Sequence, residues 1–438
     1  MSKDTQSQTT ERTQVAQGAN LANALLAAAS LLAQVREGVS LTQAVAELPT
    51  SIRPAAQSLG YNALRHLPLL IGVIGKFINR SLQPEVEDLL LVASSTLIPD
   101  SPNQYASHTL VNEAVKAASK SSKTLPAKGL INAVLRRMSE NPEVFRAPIE
   151  EIAQNYPAWW FDKVHDAYPK QWQAIFKQNF IHPPMTLRVN TRKLSVEEYK
   201  QHLHQRDIQF KDIPAKLQKL APHAICLEKP VPVQQLPGFD RGHISVQDLG
   251  AQIAVGLLGL HQGNLVLDAC AAPGGKAAHI LEVADVKLTA IDKDADRLSR
   301  VNENLERLDL VATVKEGDAS DPASWWDGNL FDAILADVPC SASGIVRRHP
   351  DIPYLRREED IHALSINQKS ILSKLWGVLK PGGKLLFVTC SIFPEEGENQ
   401  AKWFSKNHED AVRLESLGQM VPSAWHDGFF FALFRKSE

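Results

Sequence analysis

What this 438-residue chain lacks narrows it first. It has only four cysteines, Cys226, Cys270, Cys340 and Cys390. They are far apart, with no C-x-x-C pair and no histidine at ligand spacing, which excludes a disulfide framework and a clustered zinc site and points to a reducing compartment. Neither charge is in excess, since 47 Lys and Arg stand against 49 Asp and Glu for a net −2. No global field therefore favours nucleic acid or membrane, and any polyanion-binding surface has to be local. Long apolar runs are missing too. Leu21 to Ala33 is too short to span a bilayer and follows a polar stretch rather than a basic one, so it reads as a buried helix. With no exporting segment, the expected location is the cytoplasm, and a monomer is the default oligomeric state.

What is present divides into four stretches. Residues 1–18 are rich in Gln, Thr and Ser, the composition of a loose tail. From 19 to 148, Ala and Leu recur at helical spacing through Leu21–Val35, Ile52–Leu64, Leu69–Ile78, Val86–Ile98, Leu110–Ala118 and Gly129–Met138, which reads as an all-helical domain. Between Lys116 and Arg137 lie six basic residues, including Lys120, Lys123 and Lys128, and no acidic one. Such a run is either a solvated helix face or a phosphate-contacting patch. Residues 149–244 mix helical pieces (Trp159–Ala167, Trp172–Asn179) with β-like ones (Met185–Asn190, Ala224–Leu227) among prolines, a small α+β connector. From 245 to 438, strand-like runs at Leu265–Asp268, Leu288–Asp292, Thr313–Glu316, Ala333–Asp337, Lys384–Cys390 and Phe429–Arg435 alternate with helical ones. That alternation implies a parallel or mostly parallel α/β sheet whose ligands gather at the carboxyl ends of its strands.

Three motifs carry chemistry. Val266-Leu267-Asp268-Ala269-Cys270-Ala271-Ala272-Pro273-Gly274-Gly275-Lys276 runs from a strand through a small-residue turn into a helix, where backbone N–H groups can approach a ligand. It is neither a Walker loop, having Ala271 and Ala277 where Gly and Ser or Thr are needed, nor a G-x-G-x-x-G loop. Asp292 ends the next strand, where a nucleoside-binding fold accepts hydrogen bonds from ribose hydroxyls, and Asp318 ends the third, within reach of an adenine amino group. A lone Asp after a strand is usually a turn or cap residue, but a succession of such sites favours a binding crevice. The second motif is Asp337-Val338-Pro339-Cys340-Ser341, followed by Arg347-Arg348-His349, and the third is Thr389-Cys390-Ser391-Ile392-Phe393-Pro394-Glu395-Glu396. One buried Cys is ordinarily a small hydrophobe. Two just past strand ends beside a ligand loop point to reactive thiols.

These motifs resemble the S-adenosylmethionine-dependent RNA cytosine-5 methyltransferases, and more narrowly the bacterial RsmB (Fmu/Sun) family acting on 16S ribosomal RNA. The tracts His108–Val115 and Gly129–Arg136 are similar to that family's NusB-like signature. Ala277 stands where the family usually has Thr, Ala342-Ser343 where it often has Gly-Thr, and Gly397 where it usually has Asn; Ala93-Ser94-Ser95-Thr96 lacks a Tyr-Gln pair. The resemblance implies a multidomain chain: an all-α NusB-like RNA-binding domain, an α+β connector with an RNA-binding role, and a Rossmann-like methyltransferase domain. It implies S-adenosylmethionine as methyl donor, held by Cys270, Ala271, Ala272, Pro273, Gly274, Gly275, Lys276, Asp292, Asp318 and Asp337, with no metal. Cys390 would be the nucleophile, Cys340 would release the product and Asp337 would contact the base. Arg347, Arg348 and His349, with Lys120, Lys123 and Lys128, are candidates for RNA phosphates, and Lys276 or the Arg347-Arg348 pair for the charge that favours a thiolate. A related transfer-RNA enzyme and a non-catalytic RNA-binding module remain the alternative readings.

Overall fold

The computed structural model describes residues 21–99, 101 and 103–438; the tail expected at 1–18 lies outside them. The described residues form two units, one within 21–158 together with 349–355 and the other of 159–348 with 356–438. In the first, helices α1 (Leu21–Arg36), α2 (Leu41–Ala46), α3 (Arg53–Arg65), α4 (Leu67–Phe77), α5 (Pro84–Ser95), α6 (Ser107–Ala118), α7 (Lys128–Glu140) and α8 (Ile149–Ala153) follow one another. Proline in the first turn of α3, α4 and α5 supplies a pre-set φ where the missing N–H costs nothing. α1 buries one broad face, including Leu25, Ala28, Leu31, Leu32 and Val35, and packs against α3, α5 and α6, so it is central to this bundle. The four positions Ala93 to Thr96, where the family pattern has Tyr and Gln, are 0–2% exposed, so they are interior to the bundle. The segment His349–Leu355 also belongs here: the Asp351 carboxylate accepts from the Leu41 amide at 2.8 Å and Tyr354 stacks on Tyr156.

The second unit holds two sheets. The smaller has strands β1 (Thr186–Val189), β2 (Phe210–Lys211), β3 (Ala224–Leu227) and β4 (Ile244–Val246) in the order β2-β3-β1-β4, all antiparallel. Its core is Leu187, Val189, Tyr199, Leu203, Ile225 and Ile244. The larger has β5 (Leu265–Ala269), β6 (Lys287–Asp292), β7 (Thr313–Glu316), β8 (Phe331–Asp337), β9 (Leu379–Thr389), β10 (Ala411–Met420) and β11 (Phe429–Lys436), ordered β10-β11-β9-β8-β5-β6-β7. β5 to β9 run parallel, whereas β10 and β11 pair antiparallel at the edge. Alternate residues of the central strands feed opposite cores: Val266, Leu335 and Val388 face one layer of helices, and Leu267, Ile334 and Phe387 the other. Strand order reverses beside β5, which opens a crevice at the carboxyl ends of β5, β6, β8 and β9.

Candidate functional site

The ligand loop is built by backbone geometry. After β5 the chain turns through Cys270 (φ +63°) and Gly274 (φ +96°), and the helix Gly275–Val283 begins. An added Cβ at Gly274 would meet the Val301 Cα at 3.0 Å, so glycine answers both the left-handed conformation and the close approach of the next helix. The Ala272–Pro273 peptide is cis. The Ala271 amide donates to Ile291 O at 2.8 Å and the Ala272 amide to the Asp292 carboxylate at 3.1 Å, so β6 holds the loop from one side. Arg188, fully buried, donates to Gly275 O at 2.8 Å while paired with Glu282, and holds it from the other.

Seven of the residues singled out in the sequence line one cavity: Cys270, Ala272, Asp292, Asp318, Asp337, Cys340 and Cys390. A larger hollow of about 600 Å³ lies at the amino ends of β5, β6, β7 and β8, away from this chemistry. In the crevice the Cys340 and Cys390 sulfurs are 3.4 Å apart. Lys276 donates to Asp337 at 2.5 Å. Burial works against the Lys276 charge, but Asp337, Asp268 and Cys390 outweigh it and hold its pKa above the ordinary value. Burial, with Asp292, Asp337, Asp268 and Asp318 around it, pushes the Cys270 thiol up, so this cysteine is a poor nucleophile. The hydrogen bond with Cys390, burial and the charge of Glu396 push the Cys340 thiol well above its ordinary range. Burial, more than the neighbouring carboxylates, lifts the Asp268 carboxyl to about 8 against the opposing pull of Lys276.

Several positions differ from expectation. Arg347 is 1% exposed and ion-paired with Asp427 at 2.5 Å, and Arg348 is shared between Asp427 and Asp248. Arg347 is thus committed internally and is not presented to a phosphate, whereas Arg348, 28% exposed, is held by two carboxylates at the surface; Lys276 is the cation near Cys390. The reason is the arrival of acidic partners roughly 80 to 100 residues distant, the carboxylates of Asp427 and Asp248, which local sequence does not announce. His349 lies in the helical unit. Lys120 reaches Asn23 Oδ1 at 2.5 Å, Lys123 pairs with Glu85, and Lys128 is exposed. Unanticipated residues also appear. Arg297 and Asn367 line the cavity, and Arg356 donates to the carbonyls of Ser341 (3.2 Å) and Cys340 (3.4 Å). Glu396, taken only as part of a motif, is fully buried beneath both cysteine loops. At Gly397 a Cβ would meet the Phe430 ring at 3.0 Å, so that ring packs on the glycine.

A doubly covered, mainly parallel sheet with a small-residue loop and acidic strand ends at its switch point defines a Rossmann-like methyltransferase domain, here preceded by a NusB domain and a ferredoxin-like connector. Three family models match: the NusB family over residues 22–140, an RsmF/B-like ferredoxin-like domain over 156–234, and 16S rRNA methyltransferase RsmB/F over 255–435. "Ribosomal RNA small subunit methyltransferase B" of Vibrio vulnificus is 42% identical over 94% of this chain and 99% of its own length, and that of Erwinia tasmaniensis 40% over 93% and 97%. The chain belongs to this family of 16S ribosomal RNA methyltransferases. Among solved structures, PH0851 matches with a TM-score of 0.73 over 94% of this chain and 99% of that one at 24% identity, a likeness of fold. A methyltransferase homolog from Pyrococcus horikoshii matches at 0.56 and 27% identity, covering 64% and 95%. Among the described residues no helix is long and apolar enough to cross a membrane, and no group of metal-ligating side chains is found.

Proposed function

We propose that this protein methylates C5 of a cytidine in 16S ribosomal RNA with S-adenosylmethionine as donor, through a covalent Cys390–C6 adduct. The observation that carries this reading is the pair of thiols in contact inside the acidic crevice. The donor set suits the cofactor: Asp292 and Asp318 offer acceptors to ribose hydroxyls and an adenine amino group, and Cys270 to Lys276 supply a close-packed loop. When bound, the cofactor supplies an electrophilic methyl group. Asp337 borders the same cavity and accepts a hydrogen bond from Lys276, leaving its carboxylate to face the cytosine edge.

Cytosine C5 is a weak nucleophile, so the chain must activate it covalently. A thiol of ordinary pKa is only a few per cent ionised near pH 7. The ammonium group of Lys276 is the cation near Cys390, while the hydrogen bond with Cys390 and burial keep Cys340 protonated. Addition of Cys390 to C6 raises electron density at C5, which takes the methyl group. A base or water then takes the C5 proton, its electron pair re-forms the C5–C6 double bond, and Cys390 leaves C6 as the thiolate; Cys340, touching Cys390, assists this release. The reacting base must be unstacked. Lys120, Lys123, Lys128 and His349 extend the RNA footprint over the helical domain, and the ferredoxin-like connector adds to it.

Bisulfite mapping of ribosomal and transfer RNA from cells with and without the gene tests the substrate. One 5-methylcytidine lost from 16S RNA is expected. Loss confined to transfer RNA, or no loss at all, contradicts the proposal.

A further inference from the structure

One buried carboxylate ties together the residues that follow the two cysteines. Glu396 accepts from the Ser341 amide at 2.8 Å and from the Ser341 hydroxyl, and from the Ser391 hydroxyl at 2.7 Å. Ser341 follows Cys340 and Ser391 follows Cys390. The serines also meet each other at 3.2 Å. Ser343 bridges from the first loop to the second, its hydroxyl 2.9 Å from that of Ser391 and accepting from the Ile392 amide at 2.9 Å. Gln368 completes the set by donating to both Glu396 (3.3 Å) and Pro339 O (3.0 Å). None of these side chains is more than 2% exposed. Burying a carboxylate is costly unless its oxygens are fully hydrogen-bonded, and two loops could be joined more cheaply by apolar packing. A carboxyl group whose oxygens reach both loops at the residue after each thiol gives what apolar packing cannot, a directional constraint on the spacing of the two sulfurs.

We infer that Glu396 is a positioning residue: through Ser341 and Ser391 it sets the two loops so that the sulfurs of Cys340 and Cys390 stand in contact. Glu396 does not line the cavity, so it acts through the serines and not on the base. The sulfur separation of 3.4 Å is well beyond a bond of about 2.05 Å, yet short enough for the two thiols to share a proton. This inference rests on the reading of the thiols as the reacting groups.

The test uses full-length protein and phenylarsine oxide, which condenses with two neighbouring thiols to form two As–S bonds and release water. In the wild type the Cys340–Cys390 pair should be captured and shielded from iodoacetamide, as read by peptide mass spectrometry. Glu396→Ala is expected to slow pair capture at least tenfold and to lower kcat at least tenfold, with KM for RNA within twofold and alkylation of Cys270 unchanged. The milder double variant Ser341→Ala/Ser391→Ala, which removes only hydroxyls, should move both readouts the same way and serves if Glu396→Ala does not fold. Wild-type pair capture in a folded variant overturns the inference, whatever its kcat. Full turnover by Cys390→Ala would instead overturn the functional reading and leave the arsenical result standing, so the two failures are distinguishable.

Discussion

Ala342 sits at φ +61°, a conformation that costs a residue with a Cβ roughly 1–2 kcal/mol, at the position where the family often has glycine. Replacing it with glycine removes that cost but adds unfolded-state entropy worth about 0.4–1 kcal/mol. The net expectation for Ala342→Gly is stabilisation of about 0.5–1 kcal/mol, checked by urea denaturation; a destabilised variant would show that the Ala342 methyl is needed for packing. Asp268 gives a pH signature. Burial raises its folded pKa to about 8 from an ordinary carboxyl value, so its stabilising contribution is full below about pH 4 and is lost as pH rises through 8. Asp268→Asn cannot titrate, so its melting temperature relative to the wild type should be more favourable at pH 8 than at pH 5.5. A constant difference would mean the carboxyl is ionised in the fold across that range. At this scale the sequence was informative where chemistry is local. Cys340 and Cys390 stood out because each follows a strand end, and the crevice contains both. Arg347 misled because an arginine announces a charge, not its partner. Glu396 was passed over because the serines it joins come together only when β8 and β9 pair.

Between elements, the loop after β8 is fixed to the edge hairpin. Gly344 donates to Cys390 O at 2.9 Å and accepts from the Gly428 amide at 2.8 Å, and a Cβ on Gly344 would fall 2.4 Å from Gly428 O. Asp427, at 1% exposure in the same hairpin connection, neutralises Arg347 and shares Arg348 with Asp248, which caps the helix Leu249–Leu258. Removing one member of such a buried set strands a charge, at about 3–5 kcal/mol. Asp427→Ala should therefore lose roughly that much on urea denaturation; a loss below about 1 kcal/mol would indicate that water reaches the guanidinium groups. The central parallel strands β5 and β8 were readable because they are covered on both faces and so mostly apolar. β10 was not: it is an edge strand with much of its length partly exposed, broken by a bulge between Leu414 and Gly418. α2 was missed for another reason, since six residues with three buried positions give too short a period to detect.

Over the whole chain, the succession of helical domain, α+β connector and α/β domain was legible from composition and periodicity, and the family matches follow the same succession. The net charge of −2 says little about an RNA partner, because it averages acidic stretches with a run between Lys116 and Arg137 that holds six basic residues and no acidic one. A local footprint has a measurable consequence. Reversing Lys120, Lys123 and Lys128 to Glu should weaken binding to 16S RNA and flatten its dependence on salt, by roughly 0.7 in slope for each phosphate no longer neutralised. An unchanged slope would remove these lysines from the interface.

The central claim concerns two thiols with different duties, and it is tested most directly by incubating the Cys390→Ala and Cys340→Ala proteins with 16S RNA and methyl-labelled S-adenosylmethionine, then resolving the products on a denaturing gel. Cys390→Ala should transfer no label and form no adduct, whereas Cys340→Ala should transfer label and accumulate a denaturation-resistant protein–RNA complex. Full turnover by Cys390→Ala, with loss of transfer and no adduct in Cys340→Ala, would contradict the assignment and exchange the two roles.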